Sequence, residues 1–209
     1  MAKIISISQQ KGGVGKSTIA AHLGVILKQK NKKVGLIDID PQATLSRWHQ
    51  AREDLFGKEY TGFHFSAISG IRVSNEISNM KLHTDYIIID CPPHTDTETR
   101  IAIRSADLIL IPMQPSPTDL WATNKTLDFA RNENKRIKLL MNRCNINSKI
   151  YKKLEIPKEY KEYILNSHLG NRVGFASCMI QGKSITEQDP NSIGANEVKK
   201  LLEEMLNIL

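Results

Sequence analysis

The sequence predicts an α/β fold, a three-layer α/β/α sandwich with a mostly parallel central sheet. Two observations carry that prediction. Short runs rich in Ile, Val and Leu alternate with stretches of helical periodicity. A glycine-rich turn, Gln10-Lys11-Gly12-Gly13-Val14-Gly15-Lys16-Ser17-Thr18, sits between the apolar run Ile4-Ile5-Ser6-Ile7 and a helical segment from Ile19 to Lys28.

Strands are expected near 3–8, 33–38, 85–90, 107–112 and 137–142, with a weaker one near 62–67. The first helix puts Ile19, Leu23, Ile26 and Leu27 on one face. After strand two comes Asp38-Ile39-Asp40-Pro41-Gln42, where Pro41 stops strand pairing just as a carboxylate reaches the sheet edge. Ala43 to Arg52 reads as a helix in which Trp48 packs. Ile71, Ile77 and Met80 hint at a helix that ends before Asp85. The run Tyr86-Ile87-Ile88-Ile89-Asp90-Cys91-Pro92-Pro93 has the continuous apolarity of a strand buried on both faces.

Leu108 to Ile111 is a further buried strand, followed by Pro112-Met113-Gln114-Pro115-Ser116-Pro117-Thr118, a loop stiffened by its prolines. A helix over 119–131 and the strand ending at Asn142-Arg143 come next. Pro157 is expected to open a helix to Asn166. Gly182-Lys183-Ser184 echoes the first loop, but without its upstream glycines or strand it reads as an ordinary loop. The last helix gathers Val198, Leu201, Leu202, Met205, Leu206 and Leu209 on one face, away from Lys199, Lys200, Glu203 and Glu204.

With 209 residues, 40% of them hydrophobic, the chain is expected to form one domain over 1–209. Strand one begins so early that no N-terminal helix-turn-helix domain is expected. No run approaches the roughly 18 apolar residues of a spanning helix, so a cytoplasmic protein is expected. Cys91, Cys144 and Cys178 are odd in number and widely spaced, a pattern of neither a disulfide framework nor a zinc site. Residues 131–172 hold eleven basic side chains against four acidic ones, an excess of seven that equals the net charge of +7 for the whole chain. Such local basicity points to a polyanionic partner or to a solvated lysine face.

A strand, a glycine-rich turn ending in Gly-Lys-Ser and then a helix form the arrangement whose backbone amides wrap polyphosphate. Gly12, Gly13 and Gly15 let the backbone approach the oxygens, Lys16 neutralises charge and the Ser17 hydroxyl ligates magnesium. Ligands of open α/β sheets sit beyond the carboxyl ends of the strands, which brings Asp40 and Asp90 to the loop. Lys11 is a departure from the ordinary pattern. Five positions before Lys16, it would crowd the same phosphate, whereas it could serve the phosphate of a second subunit.

Lys11 to Thr18, Asp38 to Gln42 and Ile89 to Pro93 together resemble the deviant Walker A ATPases of the ParA and MinD group, as far as about residue 143. Gln114-Pro115-Ser116-Pro117 brings the chain nearest to small ParA-type partition ATPases. The resemblance implies a SIMIBI-like P-loop fold, ATP and Mg2+ as cofactors, weak ATP hydrolysis, and a homodimer that closes on ATP. It implies catalytic roles for Lys11 (in trans), Lys16 and Asp40. Nucleotide binding would fall to Lys11, Gly12, Gly13, Val14, Gly15, Lys16, Ser17 and Thr18, and magnesium binding to Ser17, Asp40 and Asp90. Asn142 would contact adenine. It further implies non-specific DNA binding, nucleoid association and a centromere-binding partition protein as partner. The alternatives are a MinD-like or other cargo-positioning ATPase, or an ATP-dependent synthetase of the same superfamily. The last helix balances two lysines with two glutamates, a poor match to a basic membrane anchor.

Overall fold

The computed structural model describes residues 2–70, 72–94, 96–145, 147–148 and 154–209. Among the described residues seven strands form one sheet: β1 (Lys3–Ile7), β2 (Val34–Asp38), β3 (His64–Ala67), β4 (Tyr86–Asp90), β5 (Leu108–Met113), β6 (Ile137–Cys144) and β7 (Ile164–Gly170). Their order is β3-β2-β4-β1-β5-β6-β7, and every pairing is parallel. β1 therefore lies between β4 and β5, where the winding reverses direction, and the loop after it opens at the sheet's switch point.

Eight helices are described: α1 (Lys16–Gln29), α2 (Thr44–Phe56), α3 (Arg72–Met80), α4 (Thr97–Ser105), α5 (Pro117–Asn132), α6 (Val173–Ile180), α7 (Ile185–Gln188) and α8 (Ile193–Ile208). Alternate residues of each strand feed two separate cores, because successive side chains leave opposite faces of a sheet. Ile5, Ile7, Leu36, Ile88, Leu110 and Leu140 pack with α1, α2 and α6 to α8. Ile4, Ile37, Ile87, Ile89, Ile109 and Ile111 pack with α3, α4 and α5. Trp48 is 2% exposed and its indole N–H donates to the Lys183 carbonyl at 3.0 Å, a packing role as its spacing foretold.

Three segments depart from the sequence-based expectation. In place of a helix over 157–166 stand a 3-10 turn, Lys158–Tyr160, and strand β7 paired beside β6 with Leu139 opposite Ile164. Leu165 and Leu169, both buried, are four apart, a spacing that a helix and a strand each satisfy. α4 was not foreseen; Asp96 caps it by accepting from the Thr99 amide at 2.8 Å. α6 likewise precedes Gly182-Lys183-Ser184 without an evident start signal. The expected helix residue Ile71 lies outside the described residues.

Candidate functional site

The turn after β1 depends on glycine at two positions. Gly13 and Gly15 have φ of 74° and 95°, and a Cβ on Gly15 would stand 2.5 Å from Asn142 Nδ2. A Cβ on Gly12 or Gly13 would meet no protein atom within 4 Å, so the space above them is left open. α1 starts at Lys16 with no side-chain cap and no acidic residue in its first turn. Its free N–H groups and positive dipole end are thereby offered to an anion. A cavity of about 240 Å³ stands over this turn, lined among others by Lys16, Ser17, Thr18, Asp40 and Arg143.

Burial pulls the Lys16 ammonium below its ordinary range, against the opposing pull of Asp90 and Asp40. Asp90 is fully buried at the end of β4, and neither carboxylate oxygen has a hydrogen-bond partner. Burial pushes its carboxyl up to about 8; the neighbouring Ser17 hydroxyl and Lys16 pull the other way, while Asp38 and Asp40 add to the rise. A buried carboxylate with both oxygens unmatched is what a hard divalent cation completes, and the Ser17 hydroxyl beside it is a second oxygen donor.

The two aspartates after β2 divide their work. Asp38 is buried: Oδ1 accepts from the Asp40 amide at 3.0 Å, and Oδ2 accepts from the Ser46 amide at 2.8 Å and hydroxyl at 2.6 Å. Asp40 is half-buried and lines the cavity, its Oδ1 accepting from the Gln42 amide at 2.9 Å. Asp38 thus fixes the turn and the start of α2, leaving Asp40 as the carboxylate presented to a ligand.

The two lysines of the loop part company. Lys16 is 6% exposed and faces the cavity. Lys11 points to the first turn of α5, where its ammonium meets Asp119 Oδ2 at 2.5 Å and Thr118 Oγ1 at 3.3 Å. The proline-rich segment 112–117 forms the wall that receives it. Gln9 Nε2 donates to the Pro112 carbonyl and Gln114 Nε2 to that of Gly13, at 3.3 and 3.4 Å, while Pro117 begins α5.

On the other side of the loop, Asn142 is buried at the end of β6 and its amide donates to the Val14 carbonyl at 2.6 Å. It lines a second cavity, of about 110 Å³, with His22, Arg143, Asn171, Arg172 and Phe175. Arg143 adopts φ 52° beside an irregularity in the β6–β7 register and borders both cavities. A left-handed arginine at a bulge is a place where a strand re-aims a side chain. His22 donates from Nδ1 to the Thr18 carbonyl at 2.7 Å, has Cys178 Sγ 3.3 Å from Nε2, and meets Phe175 edge to face at 5.1 Å. Burial lowers its pKa to about 4, so it is neutral at pH 7.

All the loop residues singled out by sequence, with Asp40, Asp90 and Asn142, come together at this end of the sheet. Arg143, His22, Phe175 and Asp119 were missed as site residues; only Arg143, at a strand end, carried a sequence signal. The basic stretch 131–172 does not form one face. β6 is eight residues long, about 23 Å, and separates Arg143 and Arg172 at the cavity end from Arg131, Lys135, Arg136 and Lys138 at the other. Lys149, Lys152 and Lys153 lie outside the described residues.

The family model for the CobQ/CobB/MinD/ParA nucleotide binding domain matches residues 5–206. The chain is 27% identical to maintenance of carboxysome distribution protein A of Halothiobacillus neapolitanus, over 97% of this chain and 95% of that protein. It is 26% identical to sporulation initiation inhibitor protein Soj of Bacillus subtilis, over 98% of each. A putative plasmid partition protein of Borrelia burgdorferi, solved bound to AMPPNP, superposes with a TM-score of 0.79 at 25% identity and covers 100% of both chains. The cell division ATPase MinD of Pyrococcus furiosus shares the fold, with a TM-score of 0.80 at 23% identity over 100% of both chains.

Proposed function

Because the chain belongs to the CobQ/CobB/MinD/ParA nucleotide-binding domain family, we propose that it is an ATP-driven DNA-segregation switch. It dimerises on ATP, binds DNA non-specifically and is reset when a centromere-binding partner stimulates its hydrolysis. The observation that carries this proposal is the divergence of the two lysines: Lys16 enters the phosphate cavity, whereas Lys11 leaves it for the rim. A cation on the rim, turned away from its own phosphate cavity, is placed where a nucleotide held by a second subunit would meet it.

In this assignment the amides of Gly12 to Thr18 and the Lys16 ammonium hold the phosphates of ATP. The Ser17 hydroxyl and the Asp90 carboxylate would hold Mg2+, which would neutralise phosphate charge there. Asp40, fixed by Asp38, would orient the attacking water and could add its carboxylate to the metal's ligands. Asn142 faces the base. Intrinsic turnover is weak, because Lys11 reaches a phosphate only in the dimer.

DNA attraction by counterion release needs a cluster of cations and no base contacts. Arg131, Lys135, Arg136 and Lys138, with Lys158 and Lys161 before β7, supply such a cluster at the sheet end away from the nucleotide. Affinity for DNA would place the protein on the nucleoid within the cytoplasm. A second proposal keeps the same cycle but assigns a protein assembly as cargo; the near full-length likeness to the carboxysome distribution protein supports it.

Steady-state phosphate release with and without duplex DNA, over a salt series, tests the proposal. Weak activity should rise with DNA plus the cognate partner. Lys16→Ala and Asp40→Ala should each lower it by about 10²-fold or more. Activity indifferent to both substitutions, or a small-molecule product formed with the phosphate, would overturn it.

A further inference from the structure

Lys11 is already engaged within its own chain. Its partner Asp119 has no exposed side-chain surface, while Lys11 keeps 35% of its own. The Asp119 carboxylate also accepts from Ser116 Oγ at 2.5 Å and from the Gln114 amide at 3.1 Å. Ser116 in turn caps α5, accepting from the Asp119 amide at 3.2 Å. The acid is thus built into the first turn of a helix that opens at Pro117, and the lysine, on a flexible four-carbon stem, is the member able to move.

We propose that Asp119 is a positioning residue that latches Lys11 in cis and so sets the threshold at which ATP closes the dimer. The proposal rests on the trans role assigned to Lys11 above. The cis contact at 2.5 Å holds the ammonium at the start of α5, and in this proposal it must leave Asp119 to reach a nucleotide in another subunit. The competent form is therefore the fraction of chains whose lysine is free, and the apparent dimer affinity is reduced by that fraction. The fraction is small, because departure of the lysine strips a fully buried carboxylate of its counter-ion. Two polar groups from Ser116 and Gln114 remain to hold the acid, so opening is reversible. Gln114 also bonds the carbonyl of Gly13, which ties the latch to the rim of the phosphate cavity.

Asp119→Asn is isosteric. Its amide oxygen can still accept from the Gln114 amide, but the charge that holds Lys11 is gone. Light scattering across a protein dilution series with Mg2+ and AMPPNP would measure the dimerisation midpoint of each variant. The midpoint for Asp119→Asn should fall by about tenfold or more, while binding of fluorescent ATP to dilute monomer stays within about twofold. The double variant with Lys11→Ala should show no such gain.

An unshifted midpoint for Asp119→Asn, with dimerisation still lost in Lys11→Ala, would overturn the latch and leave the trans lysine standing. Dimerisation that survives Lys11→Ala would remove both. Should Asp119→Asn fold poorly, nitrogen-15 NMR of the wild-type Lys11 ammonium decides instead. A slowly exchanging signal in nucleotide-free protein that is lost with AMPPNP is expected. A fast-exchanging ammonium without nucleotide overturns the latch.

Discussion

Two fully buried ionisable groups in this fold have opposite surroundings. Arg52, 1% exposed in α2, donates from Nε to the Thr61 carbonyl, from Nη1 to the Gly182 carbonyl and from both terminal nitrogens to Glu187, all at 2.8–2.9 Å. The rings of Phe56, Phe63 and Trp48 stand 4.6, 5.3 and 5.6 Å from its guanidinium carbon. Asp90, as deeply buried, has no partner on either oxygen. A buried charge with its hydrogen bonds satisfied is architecture; one left unmatched marks where a ligand belongs. The Arg52 knot joins α2 to the segment 182–187, whereas Asp90 ends β4 beside the phosphate-loop cavity.

The knot also accounts for the false echo at Gly182-Lys183-Ser184. A Cβ on Gly182 would lie 2.2 Å from the Arg52 amide nitrogen, so glycine is required for close approach. The Lys183 carbonyl receives Trp48, and Ser184 forms a capping box with Glu187. Burial works against the Glu187 carboxylate, yet the Arg52 guanidinium holds it below its usual range. The same three residue types line the proposed phosphate cavity in one place and bind protein groups in the other, and what differs is the strand and glycines upstream.

The contrast can be broken most sharply at the knot. Arg52→Ala should cost about 3–5 kcal/mol, since it leaves Glu187 unpaired and three rings without their partner. Urea unfolding would read this as a lower midpoint; a cost under about 1 kcal/mol would demote the knot to incidental packing. Nucleotide affinity, measured at a temperature where the variant is folded, should remain near that of the wild type.

His22 is intermediate, buried and with both ring nitrogens matched, and its effect should be next in size. Its folded pKa of about 4 lies below the ordinary 6.5, so between these values the unfolded chain binds the extra proton. Its contribution is complete above pH 6.5 and is lost as pH falls toward 4, about 3 kcal/mol in all. Unfolding free energy measured from pH 7.5 to 4 should fall along this limb, and His22→Gln should flatten it. An unchanged limb in His22→Gln would assign the acid sensitivity to other groups.

The smallest expected change has the opposite sign. Asp90→Asn replaces an acid that burial raises to about 8, so that folding at neutral pH must protonate it, and should raise stability by on the order of 1–3 kcal/mol. The same variant should lose the stabilisation by magnesium and ATP that the wild type shows in thermal unfolding. A destabilised Asp90→Asn would mean that the carboxylate is structural, and the contrast with Arg52 would collapse.

The sequence made the buried strands legible because β1, β2, β4, β5 and β6 are covered on both faces and read as continuous apolar runs. β7 lies at the sheet edge, where half-covered residues give no such run, and its first residues, 164–166, read as the end of a helix. α4 shows only Ile101, Ala102 and Ile103 as an apolar core and follows two prolines, so its capping residue Asp96 was the available clue. At the site, glycines and lysines declared themselves because backbone approach and phosphate charge demand those types at fixed spacing. Asp119, His22 and Phe175 did not, since their types are common and their value lies in what they face.

By itself the sequence determined the fold class, the phosphate loop and the carboxylates that accompany it, because these depend on local periodicity and on chemistry encoded within a few residues. Tertiary structure alone decided that Asp38 braces the turn by accepting from Asp40 and Ser46, that Lys11 rests on Asp119, and that β6 divides the basic stretch between opposite ends of the sheet. The physical reason is distance along the chain: Lys11 and Asp119 are 108 residues apart, and only the pairing of β1 with β5 brings their loops together.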